Sequence, residues 1–133
     1  MGLMILYLVT FSVFLIIDYF ALSYVIKPMF ARDIGHLMLD NFRVLPAFAF
    51  YAFFVTVLLW FVSWPALTLE RSLWWVFGNA ALLGAVAYGT YEFTNLAILK
   101  DWTWRMVIID GIWGTILTGT SATAGVWLMR ALA

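Results

Sequence analysis

The sequence predicts an all-α membrane protein. We expect a single four-helix transmembrane domain over residues 1–133, with a short interfacial amphipathic helix between helices 1 and 2. Hydrophobic residues make up 66% of the chain and charged residues only 11%, whereas an average chain has roughly 25% charged residues. Mean hydropathy is +1.02. A water-soluble fold would expose much of this apolar surface in contiguous patches. Soluble enzymes, nucleic-acid-binding domains and disordered segments are therefore excluded.

The predicted helices follow from four apolar segments, each near the roughly 20 residues that cross a hydrocarbon layer about 30 Å thick. Backbone polar groups in lipid must pair within their own segment, so each span is a helix. Pro46 falls in the first turn of helix 2, where its missing N–H is harmless. Pro65 falls at the far end, where we expect that helix to stop. The spans are residues 3–26, 45–67, 73–99 and 106–129.

A separate short helix is predicted in the first loop, over Met29–Val44. Its apolar residues recur at the spacing of one helical face, and charged residues take much of the remaining surface. The face consists of Phe30, Ile34, Leu37 and Met38. Two interpretations are open, a lipid-sensing or docking element and a simple interfacial connector.

Charge counts indicate the orientation. Seven Lys and Arg balance seven Asp and Glu, so net charge favours no anionic or cationic partner. Five basic residues lie in the first and third loops and two on the other side, which predicts cytoplasmic loops 1 and 3 and two non-cytoplasmic termini. The five are Lys27, Arg32, Arg43, Lys100 and Arg105, and the two are Arg71 and Arg130.

The predicted spans contain three carboxylic acids, Asp18, Glu92 and Asp110. A charged side chain in a span is unfavourable by roughly 2.5–3.5 kcal/mol and normally faces the bundle interior. All three acids fall in the cytoplasmic half of their helices, so we expect them to converge.

Polar and small residues extend this cluster along one face of helix 3 and one face of helix 4, and we expect the two faces to meet. The helix 3 face is Gly84, Tyr88, Glu92 and Asn95, flanked by Tyr91 and Thr94; the helix 4 face is Asp110, Gly114, Thr118, Ser121 and Gly125. Trp113 is the one tryptophan placed deep in a span, where its indole N–H needs an acceptor, and an acidic side chain is the natural one. The other seven are predicted to form aromatic belts at the interfaces: Trp60, Trp64, Trp74, Trp75, Trp102, Trp104 and Trp127.

Three interpretations of the cluster stay open: a structural hydrogen-bond network, a binding site for a polar head group, quinone-like molecule or cation, and acid–base catalysis by the carboxyls. No nucleophile has a base beside it, so we predict no catalytic residue. The chain lacks cysteine, which excludes thiolate metal sites and thiol catalysis. Its one histidine, His36, is interpreted as a surface residue, because a lone histidine cannot build a haem ligand pair or a histidine-based zinc centre.

The segment 84–97, which contains Tyr91-Glu92-Phe93-Thr94-Asn95, resembles the bacterial DUF2177 family of small membrane proteins. Asp18, Trp102 and the Asp110-Gly-Ile-Trp113-Gly114 motif share the resemblance, which extends over essentially the whole chain. Glu92 stands where that family often has Asp. The resemblance implies a four-helix protein of the bacterial inner membrane, and it implies no particular substrate or reaction.

Two classes of function remain. Small size, short loops and the lack of a soluble domain favour a non-catalytic accessory subunit, packed against other membrane proteins in a larger assembly. The buried acids favour the alternative, a site that binds or transports a lipid, a quinone-like compound or another small hydrophobic molecule, or that modifies lipids.

Overall fold

The computed structural model describes residues 2–133, which contain four helices and no strand. The helices are α1 (Gly2–Leu37), α2 (Val44–Thr68), α3 (Leu73–Ile98) and α4 (Trp104–Leu132). The all-α prediction is confirmed, and the predicted bounds of helices 2 and 3 agree with α2 and α3 to within one residue. Helices α1 and α2 are long and apolar enough to cross a membrane.

Helix α1 differs from the prediction. It continues beyond Ile26 as far as Leu37, so the expected separate helix over 29–44 is wrong: its first part belongs to α1 and residues 38–43 are not helical. A proline ring crowds the carbonyl four residues earlier. Here the turn Leu22–Ile26 widens to π geometry just before Pro28, and the N–H of Lys27 bonds the carbonyl of Leu22. The wider turn accommodates the proline inside a continuing helix.

Helix α2 contains the same combination. The π turn Leu59–Ser63 precedes Pro65 by the same spacing, and the helix continues to Thr68 instead of stopping at the proline. In both helices the proline follows a widened turn, but α1 continues well beyond Pro28 whereas α2 ends at Thr68, close to the predicted end. The position of a proline in the sequence does not by itself reveal whether such a widened turn forms.

The last turns of α1 pack on the protein itself. Ile26, Met29 and Ile34 are buried with Met106 of α4, while Leu37 remains exposed. The apolar face that predicted an interfacial helix thus covers the beginning of α4.

Hydroxyl caps set the beginnings of α3 and α4. The Ser72 side chain accepts a hydrogen bond from the N–H of Trp75 at 3.1 Å, and Thr103 accepts from the N–H of Met106 at 3.2 Å. Helix α4 therefore begins at Trp104, two residues earlier than predicted, and Arg105 belongs to the helix and not to the loop.

Helices α3 and α4 form the closest pair, and the predicted meeting of their small-residue faces is correct. A side-chain carbon on Gly84 would lie 2.5 Å from the carbonyl oxygen of Gly114, and one on Gly114 would collide with the ring of Tyr88. Helix α1 crosses α4 in a similar way, with Thr10 against Gly125. Small residues allow this close approach of helix backbones.

Helix α2 contacts α3 and α4 mainly in its second half. There its side chains share an apolar core with both helices: Leu58, Val62, Ala66, Val76, Ala80, Ala122 and Val126. Its first half, residues 44–50, is largely exposed. We call the tightly packed end, with the loop 69–72, the closed end, and the end with residues 38–43 and 99–103 the acid end.

Candidate functional site

Three carboxyl groups are buried near the acid end, on three different helices. Asp18 on α1 is 3% exposed, Glu92 on α3 is 0% exposed and Asp110 on α4 is 7% exposed. The side chain of Asp110 lies beside that of Glu92, and Asp18 lines the same cavity as Asp110. The helices therefore bring together the acids that the sequence predicts to converge.

Asp18 is held by an indole and a phenol. The N–H of Trp113 donates to Asp18 Oδ1 at 3.0 Å, so the predicted acidic acceptor for this deep tryptophan is present. The hydroxyl of Tyr51, on α2, lies beside the same carboxyl. Tyr51 is not among the site residues that the sequence predicts, because its only signal there is a hydroxyl-bearing ring in a strongly apolar helix.

Glu92 has a different donor. The N–H of Trp102, in the loop before α4, donates to Glu92 Oε1 at 3.0 Å. The Trp102 ring also meets Tyr91 and Phe30 edge-on, with ring centres 5.7 Å and 5.5 Å apart. Trp102 is half-buried and contacts a buried acid, which its assignment to an interfacial belt does not predict. The sequence gives no spacing signal for this contact, because a loop separates the two residues.

The second oxygen of Glu92 has no N–H or hydroxyl donor, and the group beside it is the carboxyl of Asp110. Two carboxyl groups in contact can form a hydrogen bond only when one of them carries a proton. A proton shared between Glu92 and Asp110 would satisfy this contact. The contact joins α3 to α4 at the depth where both helices border open space.

That open space is a cavity of about 870 Å³ between α1, α2 and α3, with one wall from α4. It exists because the first half of α2 stands apart from α3. Asp18 and Asp110 line it together with four tyrosines and many apolar side chains, and Lys27 and Asp40 are among the lining residues from the acid end. The tyrosines are Tyr19, Tyr51, Tyr88 and Tyr91.

A second space borders the cavity. A cleft of about 460 Å³ runs between α1 and α2. Apart from Asp18, its lining is almost entirely apolar. The cleft and the cavity share five lining residues, which are Asp18, Tyr19, Leu22, Phe42 and Tyr51. Tyr19 and Phe20, which border the cleft, are more than half exposed on the outer surface. The buried acids are thus connected with the side of the bundle.

The remaining predicted site residues divide into two groups. Tyr88 and Tyr91 line the cavity, and the side chain of Asn95 lies near that of Tyr91, one turn away. Thr94 is exposed and does not join the cluster, because it points to the opposite side of α3 from Glu92. Thr118 is buried, but its hydroxyl donates to the carbonyl of Gly114 at 2.7 Å and it packs on Gly84. The structure therefore places Thr94 and Thr118 outside the cavity lining, and Thr118 lies in the contact between α3 and α4.

Polar contacts outside the cavity join the end of α1 to the loop before α4. Asp33 accepts hydrogen bonds from Thr103, at 2.8 Å, and from Arg105. His36 pairs with Asp101 at 2.9 Å, and both side chains are more than half exposed. His36 therefore lies at the surface, as predicted. These contacts hold the extension of α1 over the beginning of α4, and with it one wall of the acid end.

Comparison with known proteins gives one match. Residues 3–127 match the family described as "Predicted membrane protein (DUF2177)". No curated protein and no solved structure matches the chain.

Proposed function

Because the chain belongs to the DUF2177 family of predicted membrane proteins, we propose that it is a four-span protein that binds an amphipathic molecule within its bundle. The polar part of this molecule lies against Asp18 and Asp110, and its apolar part reaches the bilayer. The observation that carries the proposal is the cavity of about 870 Å³, which contains two buried carboxyls and borders a lateral apolar cleft.

The outer surfaces of α3 and α4 support four spans. At 26 and 29 residues these helices extend about 39 and 44 Å, longer than the hydrocarbon layer of roughly 30 Å. Large apolar side chains stand exposed along both helices, as they do along α1 and α2, and lipid is the environment that such a surface requires. They include Leu82, Val86, Phe93, Ile108, Ile112 and Ile116.

The composition of the cavity supports an amphipathic occupant. Its volume equals that of roughly 30 water molecules and falls within the range of small-molecule sites. Water alone would leave a large apolar lining wet, whereas a purely apolar occupant would leave the carboxyl of Asp110 without a hydrogen-bond donor. A molecule with a hydrogen-bond-donating end and an apolar end satisfies both. The accessory-subunit role stays a prediction from the small size of the chain, and the cavity favours binding over it.

We place the protein in the bacterial inner membrane with the acid end in the cytoplasm, because five of the seven basic residues lie at that end. A reporter fused after Ala133 is then expected to show activity typical of a non-cytoplasmic position. Cytoplasmic activity from a folded fusion would reverse the orientation and place the cavity at the outer side.

Native mass spectrometry of the protein purified in mild detergent tests the binding function. We expect the wild-type protein to retain a lipid-sized molecule and Ala87→Trp to lose it, because Ala87 lines the cavity and a tryptophan there would fill it. Val86→Trp is the matched control, since Val86 is its neighbour on the exposed face. Both variants should melt as single species.

Retention of the same molecule by a folded Ala87→Trp protein would place the binding elsewhere. A wild-type protein that is purified folded and carries no bound molecule, even after lipid is added back, would contradict the proposed function.

A further inference from the structure

The structure also indicates the chemical class of the bound molecule. Building on the proposed function, we propose that this molecule carries a primary ammonium head group on an apolar chain. The ammonium lies against Asp110 and Asp18, and the chain leaves through the cleft between α1 and α2.

The first step is the surplus of acceptors around the cavity. Asp18 already receives the N–H of Trp113 and has the Tyr51 hydroxyl beside it. Asp110 lines the cavity, is more than nine-tenths buried, and has only the carboxyl of Glu92 as a hydrogen-bonding neighbour. One proton shared by Glu92 and Asp110 still leaves acceptor oxygens at this wall without a donor.

The second step concerns the sign of the charge that a ligand in the cavity would supply. The two ion pairs found in residues 2–133, Asp33 with Arg105 and His36 with Asp101, lie outside the cavity. The one basic side chain in the lining is Lys27, which is exposed at the acid end and separate from the buried carboxyls. A ligand that supplies positive charge and several donors therefore complements this site. An ammonium supplies three N–H donors, whereas a trimethylated ammonium supplies none and an alcohol supplies one.

The third step is the route of the chain. The cleft begins at Asp18 and Tyr51 and is lined by apolar residues such as Leu15, Ala47 and Phe48. An apolar chain attached to an ammonium at Asp18 and Asp110 can follow this lining to the exposed side of α1 and α2. Two sources in a membrane offer this chemistry, an aminophospholipid and a free long-chain amine. The side chain of Lys27 offers a contact to the phosphate group of an aminophospholipid.

The test measures binding to the full-length wild-type protein by native mass spectrometry. The probes are phosphatidylethanolamine, phosphatidylcholine and phosphatidylglycerol with identical acyl chains, together with dodecylamine and dodecanol. We expect ethanolamine lipid to bind about tenfold more tightly than choline or glycerol lipid, or dodecylamine to bind about tenfold more tightly than dodecanol. The first result identifies a bilayer lipid as the source, and the second alone identifies a free amine.

Charge-neutralising variants locate the head group. Asp110→Asn should abolish the tenfold preference and Asp18→Asn should reduce it, whereas Asp101→Asn, at an exposed acid outside the cavity, should retain it. Ala47→Trp should weaken binding of the long-chain probes by narrowing the cleft, and its neighbour Ala49→Trp, on the exposed side of α2, should not.

The outcomes distinguish this inference from the function on which it rests. If all probes bind equally, Asp110→Asn has no effect and Ala87→Trp still removes the bound molecule, the ammonium is wrong and the binding cavity stands. If no probe binds and the wild-type protein retains nothing, the binding function itself is wrong. A preference that survives Asp110→Asn and Asp18→Asn together would place the ammonium outside this cavity.

Discussion

The two ends of the bundle differ in their packing and in their polar groups. At the closed end, α2 packs on α3 and α4 through Val62, Ala66, Ala80 and Val126, each at most 2% exposed. At the acid end, the first half of α2 stands apart from α3, and carboxyl and phenol groups line the resulting cavity. One helix therefore changes from a packing element to a cavity wall along its length.

The buried hydroxyls of the bundle make the contrast sharper. Thr10, Ser63 and Ser121 are fully buried without a hydrogen-bond partner, and neither of the two spaces described above includes them in its lining. The acids at the other end have indole donors or one another. Close packing has left small polar atoms unsatisfied at one end, whereas the other end positions large polar groups at an open space. The closed end is therefore the tightly packed part of the bundle, and the acid end is the part that contains the proposed binding site.

The largest effect is expected where α3 and α4 meet, because both ends depend on that contact. Gly84→Ala would place a carbon against the backbone carbonyl of Gly114, which cannot move without separating the helices. We expect a loss of about 3 kcal/mol in unfolding free energy, measured by denaturation in mixed micelles. Gly89→Ala, on the same helix with open space around it, should be neutral or stabilising. Equal losses in both variants would show that α3 and α4 do not approach as described.

The next effect tests the carboxyl pair at the acid end. Glu92→Gln and Asp110→Asn should each lower the unfolding free energy by roughly 1–3 kcal/mol, because each changes the donor and acceptor balance of a buried contact. The double variant should lose less than the sum, with a coupling of about 0.5–3 kcal/mol. The control cycle pairs Glu92→Gln with Asp101→Asn, which is exposed, and it should be additive. Additive losses in the first cycle would mean that Glu92 and Asp110 do not meet.

The extents of α2 and α3 and the depth of the acids followed from the sequence, because both depend on local properties. An apolar run of sufficient length defines a helix, and a fixed rise per residue places Asp18, Glu92 and Asp110 at similar depth. The meeting of Gly84 with Gly114 also follows from spacing, since small residues at steps of three and four define one face.

Contacts across loops could not be predicted in this way. Trp102 bonds Glu92 because the loop 99–103 folds back on α3, and Tyr51 reaches Asp18 because this part of α2 packs on α1, with Tyr51 against Phe14. The continuation of α1 past Pro28 depends on a widened turn, whose formation is favoured by packing of Met29 and Ile34 on α4. Each outcome depends on tertiary contacts that no single segment encodes.

A smaller effect is expected from the hydrogen bond to Asp18. Trp113→Phe removes the indole N–H and keeps most of the ring, so we expect a loss of about 1–2 kcal/mol in unfolding free energy. Trp127→Phe, at the exposed surface of the closed end, should change it by less than about 0.5 kcal/mol. The same denaturation assay measures both variants. A larger loss from Trp127→Phe would indicate that Trp113 does not donate to a buried acid.

The smallest effect, and one of opposite sign, is expected from the unpartnered hydroxyls of the closed end. Ser63→Ala and Ser121→Ala remove a buried oxygen that has no partner, so each should be neutral or stabilise the protein by up to about 1 kcal/mol. Ser72→Ala is the matched control at the same end, because its hydroxyl caps α3 and its loss should destabilise by about 1 kcal/mol. Thermal denaturation in one detergent compares the three variants. Destabilisation by Ser63→Ala and Ser121→Ala as large as that of Ser72→Ala would show that these hydroxyls do have partners, and the contrast between the two ends would then lose its basis.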